Sequence, residues 1–198
     1  VNPHFIYNTL NSIRWMATIQ HAPGIAEMVT AFARLTKSIS KETQKLVPLQ
    51  EELALLNDYF TIQQYRYGGD LEIEVSRIED ERLCRDCLIP RFTLQPLVEN
   101  AIFHGTGGKR IQITLTARRE GENLTTVVAD DGVGMSDDQR RDILQKESRM
   151  NHVGLRNVHE RIQMCYGSAY GLSIESAVGQ GTKITYTLPY REAKEEAR

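Results

Sequence analysis

The sequence predicts an α+β protein, in which an N-terminal helical hairpin and dimerisation region precedes a two-layer α/β sandwich with a mixed sheet of about five strands. Two observations carry this expectation. As far as about residue 66 the apolar residues recur at helical steps, with Ile6, Leu10, Ile13 and Ala17 spaced by four, three and four. From Asp70 the period falls to two, in short β-branched segments punctuated by glycine. Strands interleaved with helices pack as two layers around one core. Helices that are apolar on one face only need a second surface, which a dimeric bundle supplies. The expected division is 1–66 for the helical region, 67–190 for the α/β domain and 191–198 for a charged tail.

The first helix opens with VNPHFIYN. Asn2 is a suitable N-cap, and Pro3 suits the first helical position, where its missing N–H costs nothing. His4 is harder to explain, because the positive end of the helix dipole disfavours a charged imidazole. It stands two positions from Ile6, about 200° round the helix from the apolar seam, and is therefore presented to solvent. Asn8, Asn11 and Trp15 continue its stripe. Ala22-Pro23-Gly24 breaks this helix, and Ile25 to about Ser38 forms the return arm of a hairpin. A third helix runs from about Pro48 to Arg66 and stops at Gly68-Gly69. The segments LEIEVS, RIQITLTA, LTTVVAD, GLSIES and TKITYTLP then read as five strands, with helices at Thr93–Phe103 and Gly154–Cys165 between them. The closing REAKEEAR is charged and expected to fray.

Composition excludes several classes. Forty per cent hydrophobic and a quarter charged residues is ordinary globular composition. A net charge of −2 with no long basic run leaves no nucleic-acid footprint. No apolar stretch reaches the roughly 18–20 residues that span a bilayer. The sequence begins at Val1 and not Met, so it is read as a portion of a longer protein. Cys84-Arg85-Asp86-Cys87 has CxxC spacing, yet no second pair of ligands completes a metal site. Three thiols, an odd number, fit a reducing compartment.

Four short motifs carry the chemistry. Leu97-Val98-Glu99-Asn100-Ala101-Ile102-Phe103-His104 lies on the helix after Pro96, and Asp130-Asp131-Gly132-Val133-Gly134 follows a strand. Gly154-Leu155-Arg156-Asn157 opens a helix, and Gly179-Gln180-Gly181-Thr182 enters the last strand. Each is weak alone, since DxGxG is most often a turn and GxGT a hairpin. In this order through one α/β unit they closely resemble the ATP-binding fold shared by histidine kinases, DNA gyrase, heat-shock chaperone ATPases and mismatch-repair ATPases. With NPHFIYNTLNSI in front, the resemblance narrows to sensor histidine kinases of the LytS/YesM type, and it covers Asn2 to about Pro189.

The resemblance implies roles that the residue chemistry can meet. His4 would be the phosphoacceptor, attacking the γ-phosphorus of ATP, and Asn8, one turn on, would orient its ring. Asn100 would offer a carboxamide oxygen to Mg2+, a hard cation that bridges substrate phosphates. Asp130 would accept from the adenine amino group, while Gly132 and Gly134 let the backbone turn close to the nucleotide. Gly154, Leu155, Arg156 and Asn157 would bring a helix N-terminus to the phosphates, and Gly181 and Thr182 would stand at the adenine edge. Residues Met135 to His152 would form a mobile lid. Glu99 is a candidate base and His104 a candidate phosphate contact on the Asn100 face.

The implied partners are a response regulator receiver domain and a second copy of the chain. The implied location is the inner face of the bacterial cell membrane, held there by upstream segments. Four positions depart from the broader pattern. Phe5 stands where many histidine kinases place an acid after the phosphoacceptor, and no Asp or Glu occurs before Glu27. Pro96 replaces the glutamate that activates water in gyrase-like relatives, which favours transfer over hydrolysis. Phe103 replaces a phosphate-contacting lysine, and His152 the first glycine of the lid hinge. These last two leave open a non-catalytic nucleotide-binding scaffold. A serine kinase of the anti-sigma type or a stand-alone ATPase is a further alternative, which the exposed NPHF does not favour.

Overall fold

The computed structural model describes residues 3–39, 45–68, 71–74, 81–105, 111–145 and 153–192. The N-cap expected at Asn2 and the hinge histidine at position 152 lie outside the described residues. Two compact units emerge, Val1–Lys45 with Leu53–Leu71 and Leu46–Glu52 with Glu72–Arg198.

In the first unit α1 (Pro3–Ile19) and α2 (Pro23–Ile39) form the expected hairpin. α1 ends with His21 in the left-handed region, at φ 52°. Ala22 N donates to Ala17 O and His21 N to Thr18 O, the two bonds of a Schellman motif with histidine in the usual glycine position. Pro23, read as a breaker, is instead the first residue of α2, where proline's fixed φ is favourable. α3 (Leu49–Tyr67) is tied to α2 within this unit by Tyr65 Oη to Glu27 at 2.8 Å and by Arg34 to Asp58 at 3.2 Å.

The second unit contains one feature with no signal in the sequence. β1 (Leu46–Pro48) pairs antiparallel with β3 (Leu88–Pro90), and both are too short to show a period. The main sheet has the order β2-β4-β5-β7-β6, built from β2 (Leu71–Glu74), β4 (Ile111–Glu120), β5 (Asn123–Asp130), β6 (Gly171–Ser176) and β7 (Thr182–Pro189). The five-strand expectation holds. The β4–β5, β5–β7 and β6–β7 registers are all antiparallel, so the mixing expected from the sequence is absent from these three pairs.

A helical layer covers one face of this sheet. α7 (Val153–Tyr166) buries Leu155, Val158 and Ile162 at steps of three and four, and packs on β6 and β7. α5 (Leu94–Asn100) buries Leu94, Leu97 and Val98, each contributing about 1.5–3 kcal/mol on leaving water. The helix expected to run to Phe103 changes at Ala101 into a π turn, Ala101–Gly105, packed on β4 and β5. Such turns concentrate at functional sites.

Two expectations are corrected. The lid segment contains a helix, α6 (Asp137–Gln145), whose Ile143 is fully buried, so this part of 135–152 is anchored. The tail is not loose from its first residue, because Leu88 N donates to Arg191 O and Glu192 bridges Cys87. α4 (Glu81–Asp86) carries Cys84 just ahead of Cys87. Burial pushes the Cys87 thiol up to about 11, and no group of possible metal ligands occurs among the described residues.

Candidate functional site

Two of the four sequence motifs meet at the ends of β5, β6 and β7. β5 terminates at Asp130, whose Oδ1 accepts from Gly132 N at 3.0 Å and Thr182 N at 3.2 Å. One carboxylate oxygen thus holds both the DxGxG turn and the start of β7. Among the described residues no hydrogen bond reaches Oδ2, which is left for a ligand donor. Burial raises the Asp130 carboxyl above the ordinary carboxylate range. The two N–H donors pull it back, and neighbouring Asp131 pushes it up again.

The glycines of these motifs serve a backbone crossing. Gly134 has φ 66° and Gly181 φ 75°. A methyl group on Gly134 would overlap the Ala177 carbonyl, and one on Gly181 would overlap the Asp130 carbonyl. Gly179 N donates to Val133 O at 2.7 Å across the same crossing. Ser176, which no motif drew attention to, is the polar hub here. Its hydroxyl donates to Gly181 O at 2.7 Å, accepts from Met135 N at 2.9 Å and lies 3.1 Å from Thr182 Oγ1. Thr182 itself is buried.

Asn100 is the last residue of α5, 7% exposed, and its Oδ1 is buried without a hydrogen-bond partner. A buried amide oxygen left unpaired costs about 1–3 kcal/mol, and an ordered ion or water is the usual remedy. A neutral oxygen donor at this position fits Mg2+. Beside it, Glu99 accepts from Gln95 Nε2 at 2.9 Å within the same helix. His104 belongs to the π turn by its backbone, and its side chain lies outside the described set. Phe103 is half exposed.

The fourth motif reaches α5 through α7. The Cβ position of Gly154 lies 3.3 Å from Pro96 Cβ, so the start of α7 sits directly against the start of α5. Leu155 faces the core, Asn157 is exposed, and Arg156 is engaged by Glu160 at 2.6 Å along its own helix.

In the first unit His4 and Asn8 are both exposed, as the helical stripe predicts. Asn8 Nδ2 lies 3.3 Å from His4 Nδ1 and 3.4 Å from Nε2, so the amide flanks the imidazole one turn along. The same unit holds an open groove of about 610 Å3 bounded by Arg14, Trp15, Glu27 and the Arg34–Asp58 pair. None of the nucleotide motifs lies there.

Comparison with known proteins agrees with this division. A family profile described as "Histidine kinase" matches residues 1–71. One described as "Histidine kinase-, DNA gyrase B-, and HSP90-like ATPase" matches residues 88–192. The chain is 37% identical over 193 residues to sensor histidine kinase YesM of Bacillus subtilis, covering 96% of this chain and 32% of that protein. It is 31% identical over 192 residues to sensor protein kinase HptS of Staphylococcus aureus, covering 94% and 36%. It therefore spans about a third of the length of these relatives.

Among solved structures, the histidine kinase domain of the Erythrobacter litoralis EL346 blue-light activated histidine kinase aligns at TM-score 0.52 and 17% identity, over 94% of this chain and 93% of that one. The catalytic domain of histidine kinase ThkA aligns at 0.56 and 17%, over 73% and 94%. At such identities the likeness is one of fold.

Proposed function

Because the chain belongs to the sensor histidine kinase family, with an ATPase domain of the gyrase and heat-shock type, we propose that it is the autokinase portion of a two-component sensor that phosphorylates His4 from ATP. The observation that carries this reading is the pairing of two unsatisfied groups in the second unit with an exposed imidazole in the first. Asp130 Oδ2 is open to an adenine amino group, and the buried Asn100 Oδ1 is open to a cation.

In this reading Asp130, held by Gly132 and Thr182, fixes the purine, and the start of α7 faces the phosphates with its unpaired N–H groups. Asn100 would hold Mg2+, which when bound offsets charge on the phosphates. Asn8 Nδ2 donates to the His4 ring at rest and restrains it, and release of that bond presents the ring nitrogen's lone pair. That nitrogen attacks the γ-phosphorus. A P–N bond forms as the bond to the ADP oxygen breaks, ADP departs, and the ring loses its proton to solvent. The carboxylate of a receiver-domain aspartate on a response regulator then takes the phosphoryl group, and the imidazole is regenerated. Pro96 leaves no carboxylate where related ATPases activate water, which favours an acceptor other than solvent. A homodimer through the exposed helical faces and a membrane anchor in the rest of the protein complete the proposal. No helix among the described residues is long and apolar enough to cross a membrane.

A non-catalytic nucleotide-binding scaffold is the second reading, favoured by the exposed apolar Phe103 and by the engagement of Arg156 with Glu160. One assay separates the two. Incubation with γ-labelled ATP and Mg2+ should yield an acid-labile phosphoprotein that His4→Gln cannot form. Undiminished acid-labile label in His4→Gln contradicts the assignment of the acceptor, and nucleotide binding without label favours the scaffold.

A further inference from the structure

The start of α5 is built in an unusual way. Its N-cap residue, Thr93, makes no side-chain cap, because its hydroxyl donates instead to Pro90 O. Phe92, just before it, sits at φ 56°, a backbone region that a bulky aromatic residue rarely enters. The N–H groups leading into the helix, up to its first residue, are nevertheless satisfied by a carboxylate some forty residues away in sequence. Glu52, in the first turn of α3, accepts from Phe92 N at 2.7 Å through Oε1, and from Thr93 N at 3.0 Å and Leu94 N at 3.3 Å through Oε2. Glu52 is only 2% exposed. From the other side Arg161 of α7 donates to Phe92 O at 3.1 Å and to Thr93 Oγ1 at 3.3 Å. Residues 92–94 are therefore gripped by one acid and one base, neither of them on α5.

We propose that Glu52 is a positioning residue of the nucleotide site, capping α5 from outside so that Asn100 presents its oxygen at a fixed height and rotation. The inference rests on the reading of Asn100 as the Mg2+ ligand and extends it to a residue outside every nucleotide motif. The lever is short and stiff. Asn100 lies six residues after Leu94, about 9 Å along a helix axis. Releasing the cap lets the strained turn relax, and the displacement travels directly to Asn100. Glutamine is the discriminating replacement. It keeps the size and one acceptor oxygen but turns an amine toward backbone N–H groups, which cannot accept from it.

The test uses the full 198-residue chain. ADP is titrated calorimetrically with Mg2+ and, separately, with EDTA, for wild type, Glu52→Gln, Asn100→Ala and the double variant. Wild type should show a Mg2+-dependent gain in affinity, and Glu52→Gln should lose about tenfold of that gain, as supports of metal ligands commonly do, while metal-free ADP binding stays within about threefold. In the Asn100→Ala background Glu52→Gln should add no further loss, because its effect passes through Asn100. If Glu52→Gln melts too low to titrate, Arg161→Lys tests the same turn from α7. It keeps the charge but loses the planar fork, and a loss of the Mg2+-dependent gain is again expected. An intact gain in the folded variants overturns the positioning role. Wild type binding ADP with no Mg2+-dependent gain overturns the metal reading of Asn100, and the positioning role with it.

Discussion

The two units bury their apolar residues very differently. In the α/β unit the alternation of β4 and β7 places Ile111, Ile113 and Leu115, and Ile184, Tyr186 and Leu188, wholly inside. α5 and α7 close the same core, and the large apolar residues left outside, such as Met164 and Val178, are scattered. In the helical unit Leu56, Tyr59 and Phe60 are buried, but many other large apolar residues are left out. Phe5, Trp15 and Ile19 are each 65% exposed, and Met16, Ile25, Phe32 and Ile39 are also in water. Exposed apolar residues on both α1 and α2 suit the proposed pairing with a second copy of the chain. The second unit encloses most of its large apolar residues, whereas the first leaves many of its own in water, as the proposed homodimer requires. The nucleotide motifs stand on the self-sufficient unit, where a rigid core can hold a polar constellation in place.

That contrast is sharpest at the backbone crossing. Gly181→Ala should be the most damaging single change, because its methyl group overlaps the Asp130 carbonyl at a left-handed position. A loss of about 3 kcal/mol or more is expected, seen as a lowered melting temperature of the second unit with the helical signal of the first retained. A small loss would mean that the crossing is looser than described.

Next in size is Asp130→Asn. The amide oxygen can still accept from Gly132 N and Thr182 N, so stability should change little. An amine now faces the adenine amino group, and ADP affinity should fall by about tenfold or more in calorimetry.

The pH response follows with a defined sign. Burial raises the folded Asp130 carboxyl, so the stability tied to it is complete below the unfolded value of about 3.9 and is lost as pH rises through the folded one. In the proposed reading purine recognition uses the ionised form, so affinity runs the other way and falls as pH drops through that raised value. Wild type should therefore bind ADP more weakly on acidification through that raised value, with a limb that Asp130→Asn lacks.

The smallest stability effect belongs to the helical unit. Trp15→Ala, on an exposed face, should change the unfolding free energy by no more than about 0.5 kcal/mol. It should nonetheless weaken self-association in sedimentation. A large stability loss would place Trp15 in a core and break the comparison.

What could be read from the sequence follows the same divide. Helix α1 and the strands at Gly171–Ser176 and Thr182–Pro189 were legible because a period repeats several times within each. β1 and β3 were not, because three residues cannot display a period. Asp130, Gly134, Gly181 and Thr182 announce themselves through dense local motifs, and the structure brings them together. Glu52, Arg161 and Ser176 carry no local sign. Glu52 reads in sequence as one more acid in the first turn of a helix, and only long-range folding shows that it is buried against Phe92, Thr93 and Leu94. The α6 helix was missed because its only apolar residues in sequence, Ile143 and Leu144, are adjacent and cannot display a helical period.

A crystal structure of the chain with Mg2+ and a non-hydrolysable ATP analogue tests the central claim most directly. The purine amino group should lie within hydrogen-bond distance of Asp130 Oδ2, and Mg2+ about 2.1 Å from Asn100 Oδ1. An analogue bound away from the β5–β7 strand ends, or Asn100 Oδ1 still without a partner when the analogue is bound there, would contradict it.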